Sequence, residues 1–263
     1  MKKMFVMMLA LLLAVSCFTA CGSKDAGSDL AYIQDKGTMI VGITDYAPMD
    51  YKDENGEWTG FDAEFAQMVC EELDVECEFF VLSDWGKKFY ELETKNIDVI
   101  WNGMTITEEV QLNTSCSDPY VVNAQVLVMK ADVVADYADA ASLAGLNVAV
   151  ENGSAGQDAA ITAGVPETNI IALQDQAAAL MEVAAGTADA CVIDITMANA
   201  MTGEGTNYAD LAAGISLTTE EYGIGFRKES DVTAKVNEIL KKYKEDGTLQ
   251  ALADKYSLTL ADF

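Results

Sequence analysis

Asp194 closes the run "ACVID", directly behind four apolar residues, and it is the side chain in this 263-residue sequence best placed to do chemistry. If those four residues form a buried strand, its charge is costly to bury without a cationic partner, which favours a binding role over chance. Earlier in the chain, "VAVENGSAG" reads as a strand, a glycine turn and a helix start, whose N–H groups at Ser154, Ala155 and Gly156 suit an anion. A similar passage, "DVIWNGMTITEEVQ", reads as a buried strand that stops at a polar turn with Asn102, Gly103 and Thr105, then restarts as a helix capped by Thr107. Glu108 and Glu109 occupy that helix's positive end, and no arginine or lysine follows in the passage.

Several chemistries are excluded by residue type. The sequence has no histidine, which removes Ser-His-Asp catalysis, His-based zinc sites and the usual base for a cysteine nucleophile. "NGSAG" lacks the spacing of a nucleophile elbow, and neither a phosphate-binding P-loop nor a dinucleotide fingerprint is present. The acidic stretch "YKDENGEWTGF" has Tyr51 where a calcium loop needs its first carboxylate, so it reads as a hairpin turning at Asn55-Gly56. No cofactor, no metal and no catalytic residue are expected.

The first residues, "MKKMFVMMLALLLAVSCFTACGS", have the order of a secretory signal: Lys2 and Lys3, an apolar run too short to span a bilayer comfortably, then small residues. "FTAC" resembles a bacterial lipobox. Residues 1–20 are therefore expected to be a signal peptide, Cys21 the lipidated first residue of the mature protein, and 21–29 a flexible tether. Such a protein would be extracytoplasmic and held at the cell membrane. Losing Lys2 and Lys3 takes the formal charge from −27 to −29, which disfavours nucleic acid and anionic lipid surfaces as partners.

Strand and helix patterns alternate along the rest of the chain. "GTMIVGIT" and "VECEFFVL" read as strands, with Phe65, Met68, Val69 and Leu73 at helical spacing between them. The alternation recurs after residue 145, which predicts two α/β lobes. Ligands of such sheets bind beyond the carboxyl ends of the strands, so a cleft between the lobes would have "WNGMT" on one wall and "ENGSAG" with Asp194 on the other. Val232, Val236, Leu240 and Tyr243 share one face of a last helix that should cap a lobe by packing. Cys116 and Cys191 read as small core residues.

From Asp29 to Phe263 the chain resembles the amino-acid-type extracellular solute-binding proteins of ABC importers. The motifs are "GTMIVGITDYAPMDY", "NGEWTGFDAEFA", "NIDVIWNGMTIT", "SDPY", "VAVENGSAG", "GTADACVID" and "YGIGFRK", in family order. The resemblance implies a two-lobed, hinged type II periplasmic-binding-protein fold. Lobe one would comprise 30–121 and 223–263 and lobe two 122–222, with crossing segments near 121–126 and 216–222. It implies a monomer that captures a small polar or cationic ligand by lobe closure, rather than an enzyme, and presents it to importer membrane subunits. A lyase on the same scaffold and a receptor's sensing domain are the alternatives.

By the same resemblance, Tyr46 and Trp85 sandwich the ligand, Asn102, Gly103 and Thr105 hydrogen-bond it, Ser154, Ala155 and Gly156 meet its carboxylate, and Asp194 receives its α-ammonium. Trp101 either narrows the pocket or packs beneath it. The family usually has an arginine three residues after Thr107 and often a second hydroxyl at the helix start; here these positions are Val110 and Ala155. Either the ligand lacks that carboxylate or backbone N–H groups alone hold it. Cys70 and Cys77 match a disulfide spacing of some members, with two buried thiols the equal alternative.

Overall fold

The computed structural model describes residues 27–262; the expected signal segment and Cys21 lie outside them. The first lobe begins with α1 (Asp29–Lys36), β1 (Thr38–Ile43), the hairpin β2 (Tyr51–Lys52) and β3 (Trp58–Thr59), α2 (Phe61–Leu73) and β4 (Glu76–Val81). It continues through α3 (Lys88–Glu93), β5 (Val99–Thr105), α4 (Glu108–Asn113), β6 (Ser115–Cys116) and β7 (Val121–Asn123). The second lobe holds β8 (Gln125–Lys130), β9 (Val148–Glu151), α5 (Ala155–Thr162), β10 (Ile170–Leu173), α6 (Gln176–Ala185), β11 (Ala190–Asp194), α7 (Ile195–Met201) and β12 (Leu211–Ser216). The chain then returns as β13 (Glu220–Phe226), α8 (Val232–Glu245) and α9 (Thr248–Tyr256).

Each lobe is built on its own mixed sheet. In the first, the strand order is β4-β1-β5-β13-β6, with β7 also on β13; β1 runs parallel to β4 and β5, and β13 antiparallel to β5. In the second, the order is β10-β9-β11-β8-β12, with β9 parallel to β10 and β11 and β8 antiparallel to β11 and β12. The chain leaves the first sheet after Asn123, enters the second at Gln125, and comes back between Ser216 and Glu220. These crossings are tied side by side: Leu217 N donates to Gln125 O (2.8 Å), and Gln125 N to Thr218 Oγ1 (2.8 Å). Two adjacent crossings form an axis about which the lobes can turn with few other bonds to break.

Helices cover the sheets where apolar residues recur every three or four positions. Phe61, Phe65, Val69 and Leu73 bury one face of α2, and Phe65 meets Trp101 of β5 edge-on with centroids 4.9 Å apart. Val232, Val236, Ile239, Leu240 and Tyr243 do the same for α8, so the last long helix does pack on a lobe. Cys191 is buried and Cys116 half-buried. Cys70 and Cys77 face each other as free thiols; their mutual hydrogen bond, then burial, push Cys70 well above its ordinary value, so Cys70 carries no ready thiolate.

Two features differ from the sequence reading. The strand through residues 98–105 does not stop at Asn102-Gly103: β5 runs on to Thr105, with Gly103 at φ +55° and an irregularity in its ladder with β13. A Cβ on Gly103 would stand 2.5 Å from Tyr46 Cε1, so glycine is required there for space as well as for backbone angle. The tether, in turn, ends earlier than residue 29. Ser28 caps α1 and donates to Asp231 (2.6 Å), while Asp29 accepts from Arg227 at 2.7 and 3.0 Å.

Arg227, the chain's only arginine, is the centre of a buried charge knot. Besides Asp29 it donates to Asp98 (3.1 Å) and to Ile97 O (2.9 Å), and Asp98 also pairs with Lys36 and accepts Ile40 N (2.9 Å). The knot fastens α1, the head of β5 and the end of β13 together, and none of its residues lines the cleft cavity. Arg227→Ala is therefore expected to destabilise the protein by about 3 kcal/mol, the low end for breaking a buried pair because Lys36 still faces Asp98. Denaturant titration measures this, and ligand affinity below the transition should be unchanged.

Candidate functional site

The carboxyl ends of β5, β9 and β11 and the turn after β4 converge on a cavity of about 30 Å³ between the lobes, roughly two waters in size. Trp85, Lys88, Asn102, Gly103, Thr105 and Val110 form its first-lobe wall; Gln125, Glu151, Ser154, Ala155, Gln176 and Asp194 form most of the opposite one. The lobes are closed on it. Asn152 donates to Asp84 (3.0 Å), Lys88 Nζ to Gly153 O (2.9 Å), and Tyr46 and Thr196 share a hydroxyl contact of 2.5 Å. Gly153, at φ +68°, lies so close to Gly86 that a Cβ would stand 2.7 Å from its Cα, so this approach of one lobe to the other needs glycine.

Asp194 is 4% exposed and surrounded by amide donors. Asn123 Nδ2 and Gln125 Nε2 (2.9 Å) donate to Oδ1, Gln176 Nε2 donates to Oδ2, and Asp194 N donates back to Gln176 Oε1 (2.9 Å). No lysine or arginine bonds it among the described residues. Burial and the nearby Glu220 outweigh those donors and push its carboxyl up to about 7. Glu220 itself accepts from Thr105 Oγ1, Asn123 Nδ2 and Gln125 Nε2, each at 2.7 Å. Glu151, 3% exposed, reaches only Thr44 Oγ1 at 3.4 Å, and burial, then Asp194, raise its pKa well above the carboxylate range.

The first-lobe wall contains a cation that the sequence reading missed. Lys88 is 4% exposed, with its ammonium 5.0 Å from the Trp85 ring centre and 4.6 Å from that of Phe89. Burial lowers its pKa, opposed by Glu109, Glu151, Asp158 and Asp84. The available signal was its spacing: Lys88 lies three residues after Trp85 and four before Leu92, on the buried face of one helical stretch. Glu151, given no role from sequence, and Gln125 and Gln176 also join the wall.

Seven of the ten residues expected at the site line this cavity: Trp85, Asn102, Gly103, Thr105, Ser154, Ala155 and Asp194. The other three lie behind it. Tyr46 is buried with its hydroxyl between Thr196 and Tyr222, Trp101 packs in the first lobe's core against Phe65, and Gly156 sits against Val192 O and Gln125. Asn102 spends both ends of its amide on Thr44 (2.9 and 2.8 Å), which fixes β5 to the segment after β1. Asp62 Oδ2 accepts Gly103 N at 2.6 Å and so sets the backbone that faces the cavity. Val110 enters the wall as an apolar residue beside Trp85 and Met104.

The family model of the bacterial extracellular solute-binding proteins, family 3, matches residues 39–259. The chain belongs to this family. The probable amino-acid-binding protein YxeM of Bacillus subtilis is 31% identical over 262 residues, covering 97% of this chain and 95% of that protein. Among solved structures, a mutant of ArgBP from T. maritima superposes with a TM-score of 0.79 at 32% identity, covering 87% of this chain and 98% of that one. An ancestral amino acid-binding protein, AncCDT-1, described as a precursor of cyclohexadienyl dehydratase, gives 0.78 at 32%, covering 87% and 99%. The fold is thus the two-lobed α/β fold of family 3, whose members are binding proteins of ABC transporters.

The carboxyl of Asp194 makes this site sensitive to pH. Between the ordinary carboxyl value of 3.8 and about 7, the folded chain holds a proton there that the unfolded chain has released. Stability of the free protein should therefore fall as pH rises from about 4 to about 7, and Asp194→Asn should flatten part of that fall; melting temperatures across the range check both. Asp62, pushed up to about 7 chiefly by burial, and Asp50 and Glu151, raised chiefly by burial, contribute in the same direction and should account for the remainder.

Proposed function

We propose that this protein captures a small amine-bearing solute, an amino acid or a related amine, by closing its lobes, and presents it to the membrane subunits of an ABC importer. The observation that carries this reading is Asp194: a carboxylate enclosed between the lobes, held by neutral amides, with no cationic side chain bonded to it. A ligand ammonium supplies the missing charge. Gln125 Oε1 and Asn123 Oδ1, buried and without a donor, are further acceptors beside the same carboxylate. The cavity wall carries Glu109, Glu151, Asp158 and Asp194 against Lys88 alone, which favours a cationic group in the ligand. Trp85 offers the aromatic face.

The capture step follows from the closed geometry. Solvent reaches Asp194 only when the lobes part, so ligand enters an open form and stabilises the closed one through contacts that exist only there. A lipid at Cys21 would hold the protein, as a monomer, beside its importer, and the leader 1–20 would export it. The likeness to AncCDT-1 keeps a lyase in view, with Asp194 as the acid; chromatography of a ligand incubated with the protein separates the readings, since a binding protein returns it unchanged.

Binding should stabilise the mature protein by about 2.7 kcal/mol at a hundredfold ligand excess over Kd, read as a rise in melting temperature in a screen of amino acids and amines. The radius of gyration should fall with the same ligand. Asp194→Ala should weaken that ligand by about 2 to 5 kcal/mol while leaving the fold intact, because a buried counter-charge is lost. A ligand that raises the melting temperature without compaction contradicts capture by closure.

A further inference from the structure

We infer that Lys88 is the group that selects for a carboxylate in the ligand, so that the captured solute is a zwitterion with its ammonium at Asp194 and its carboxylate between Lys88 and the first turn of α5. This rests on the amine-bearing reading above and narrows it. Among the described residues Lys88 is the one lysine or arginine lining the cavity, it is almost wholly buried, and it comes from the lobe opposite Asp194. Its ammonium has a single close partner, Gly153 O at 2.9 Å; its contact with Trp85 O is 3.5 Å, and no carboxylate lies within ion-pair distance of it among the described residues. A buried ammonium with one good acceptor still has hydrogen-bonding capacity, since it carries three donors.

The acceptor it has found marks the place. Gly153 immediately precedes Ser154, the residue whose Oγ accepts from Gln157 N and caps α5. The first N–H groups of a helix have no partner within it, and those of Ala155 and Gly156 belong to this turn, with Ser154 and Ala155 on the cavity wall. A carboxylate there meets a cation from the first lobe and backbone donors from the second. It would exchange a neutral carbonyl partner of Lys88 for a charged one, in a pocket where charge-assisted bonds are strong. Of the four wall carboxylates, Asp158 lies in this same first turn, so an anion there depends on the charge of Lys88. The side chain at position 110 cannot supply this charge, being valine, and the Lys88 ammonium itself is held over the rings of Trp85 and Phe89, which fixes where its charge is delivered.

The test is calorimetric titration of matched pairs, L-arginine with agmatine, L-lysine with cadaverine, L-histidine with histamine and L-glutamine with 4-aminobutanamide, against wild type, Lys88→Met and Lys88→Arg. Methionine keeps the packed stem and removes the charge; arginine keeps the charge. For at least one pair, wild type should bind the amino acid roughly thirtyfold or more tighter than its amine, the scale of a lost charge-assisted contact. Lys88→Met should abolish that preference by weakening the amino acid alone, and Lys88→Arg should retain part of it. Equal weakening of both members by Lys88→Met would make Lys88 only a latch between the lobes and overturn the inference. So would a wild type that prefers the amine or does not discriminate, a result independent of whether the variants fold. If wild type binds no member of any pair, the amine-bearing reading falls, and this inference with it.

Discussion

Closing two lobes over Asp194 removes a carboxylate from water, and the structure around the cleft is arranged about that cost. Three side-chain amides, from Asn123, Gln125 and Gln176, replace its hydration with dipoles, yet its pKa is pushed up to about 7, so the dipoles are not enough to hold the charge at neutral pH. The closed form is consequently poised. Under the proposed function, it gains most from a ligand that brings its own positive charge.

Asn123 and Gln125 flank the first crossing between the lobes, and Gln125 N is bonded to Thr218 in the second. The residues that solvate Asp194 thus also sit at the crossings between the lobes. Glu220, at the start of β13, accepts from the same two amides and raises the Asp194 carboxyl further. Under the proposed function, ligand charge at Asp194 and the geometry of the crossing segments are coupled through these two side chains. Outside the cavity wall, Arg227 with Asp29 and Asp98 ties α1, β5 and the end of β13 together within the first lobe.

Much of this was legible in the sequence because the signals were local. The run before Asp194 is buried strand and Thr107 accepts from Val110 N as a helix cap should; the alternation of strand and helix does form two sheets. What escaped the reading depends on where a side chain points. The second lysine of "DWGKK" looks like one more solvated charge, and only the packing of α3 turns Lys88 inward. Trp101 and its neighbour Asn102 alternate across a strand, so one faces the lobe core and the other the cleft, but the period of two does not say which until a helix covers one face. "NG" at 102–103 reads as a turn by its residue types, whereas pairing with β13 draws those residues into β5. Ser28 and Asp29 gave no periodic signal because their partners lie about 200 residues away, at Asp231 and Arg227.

The central claim is that Asp194 changes its protonation when a ligand ammonium arrives. Carbon-13 NMR of the Asp side-chain carboxyls, with Asp194→Asn used to assign its signal, reads this directly in the free and ligand-bound protein. The account predicts that in the free protein the Asp194 carboxyl titrates near pH 7, and that in the bound protein it stays ionised well below that pH. An Asp194 signal that titrates at the same pH with and without ligand would contradict it.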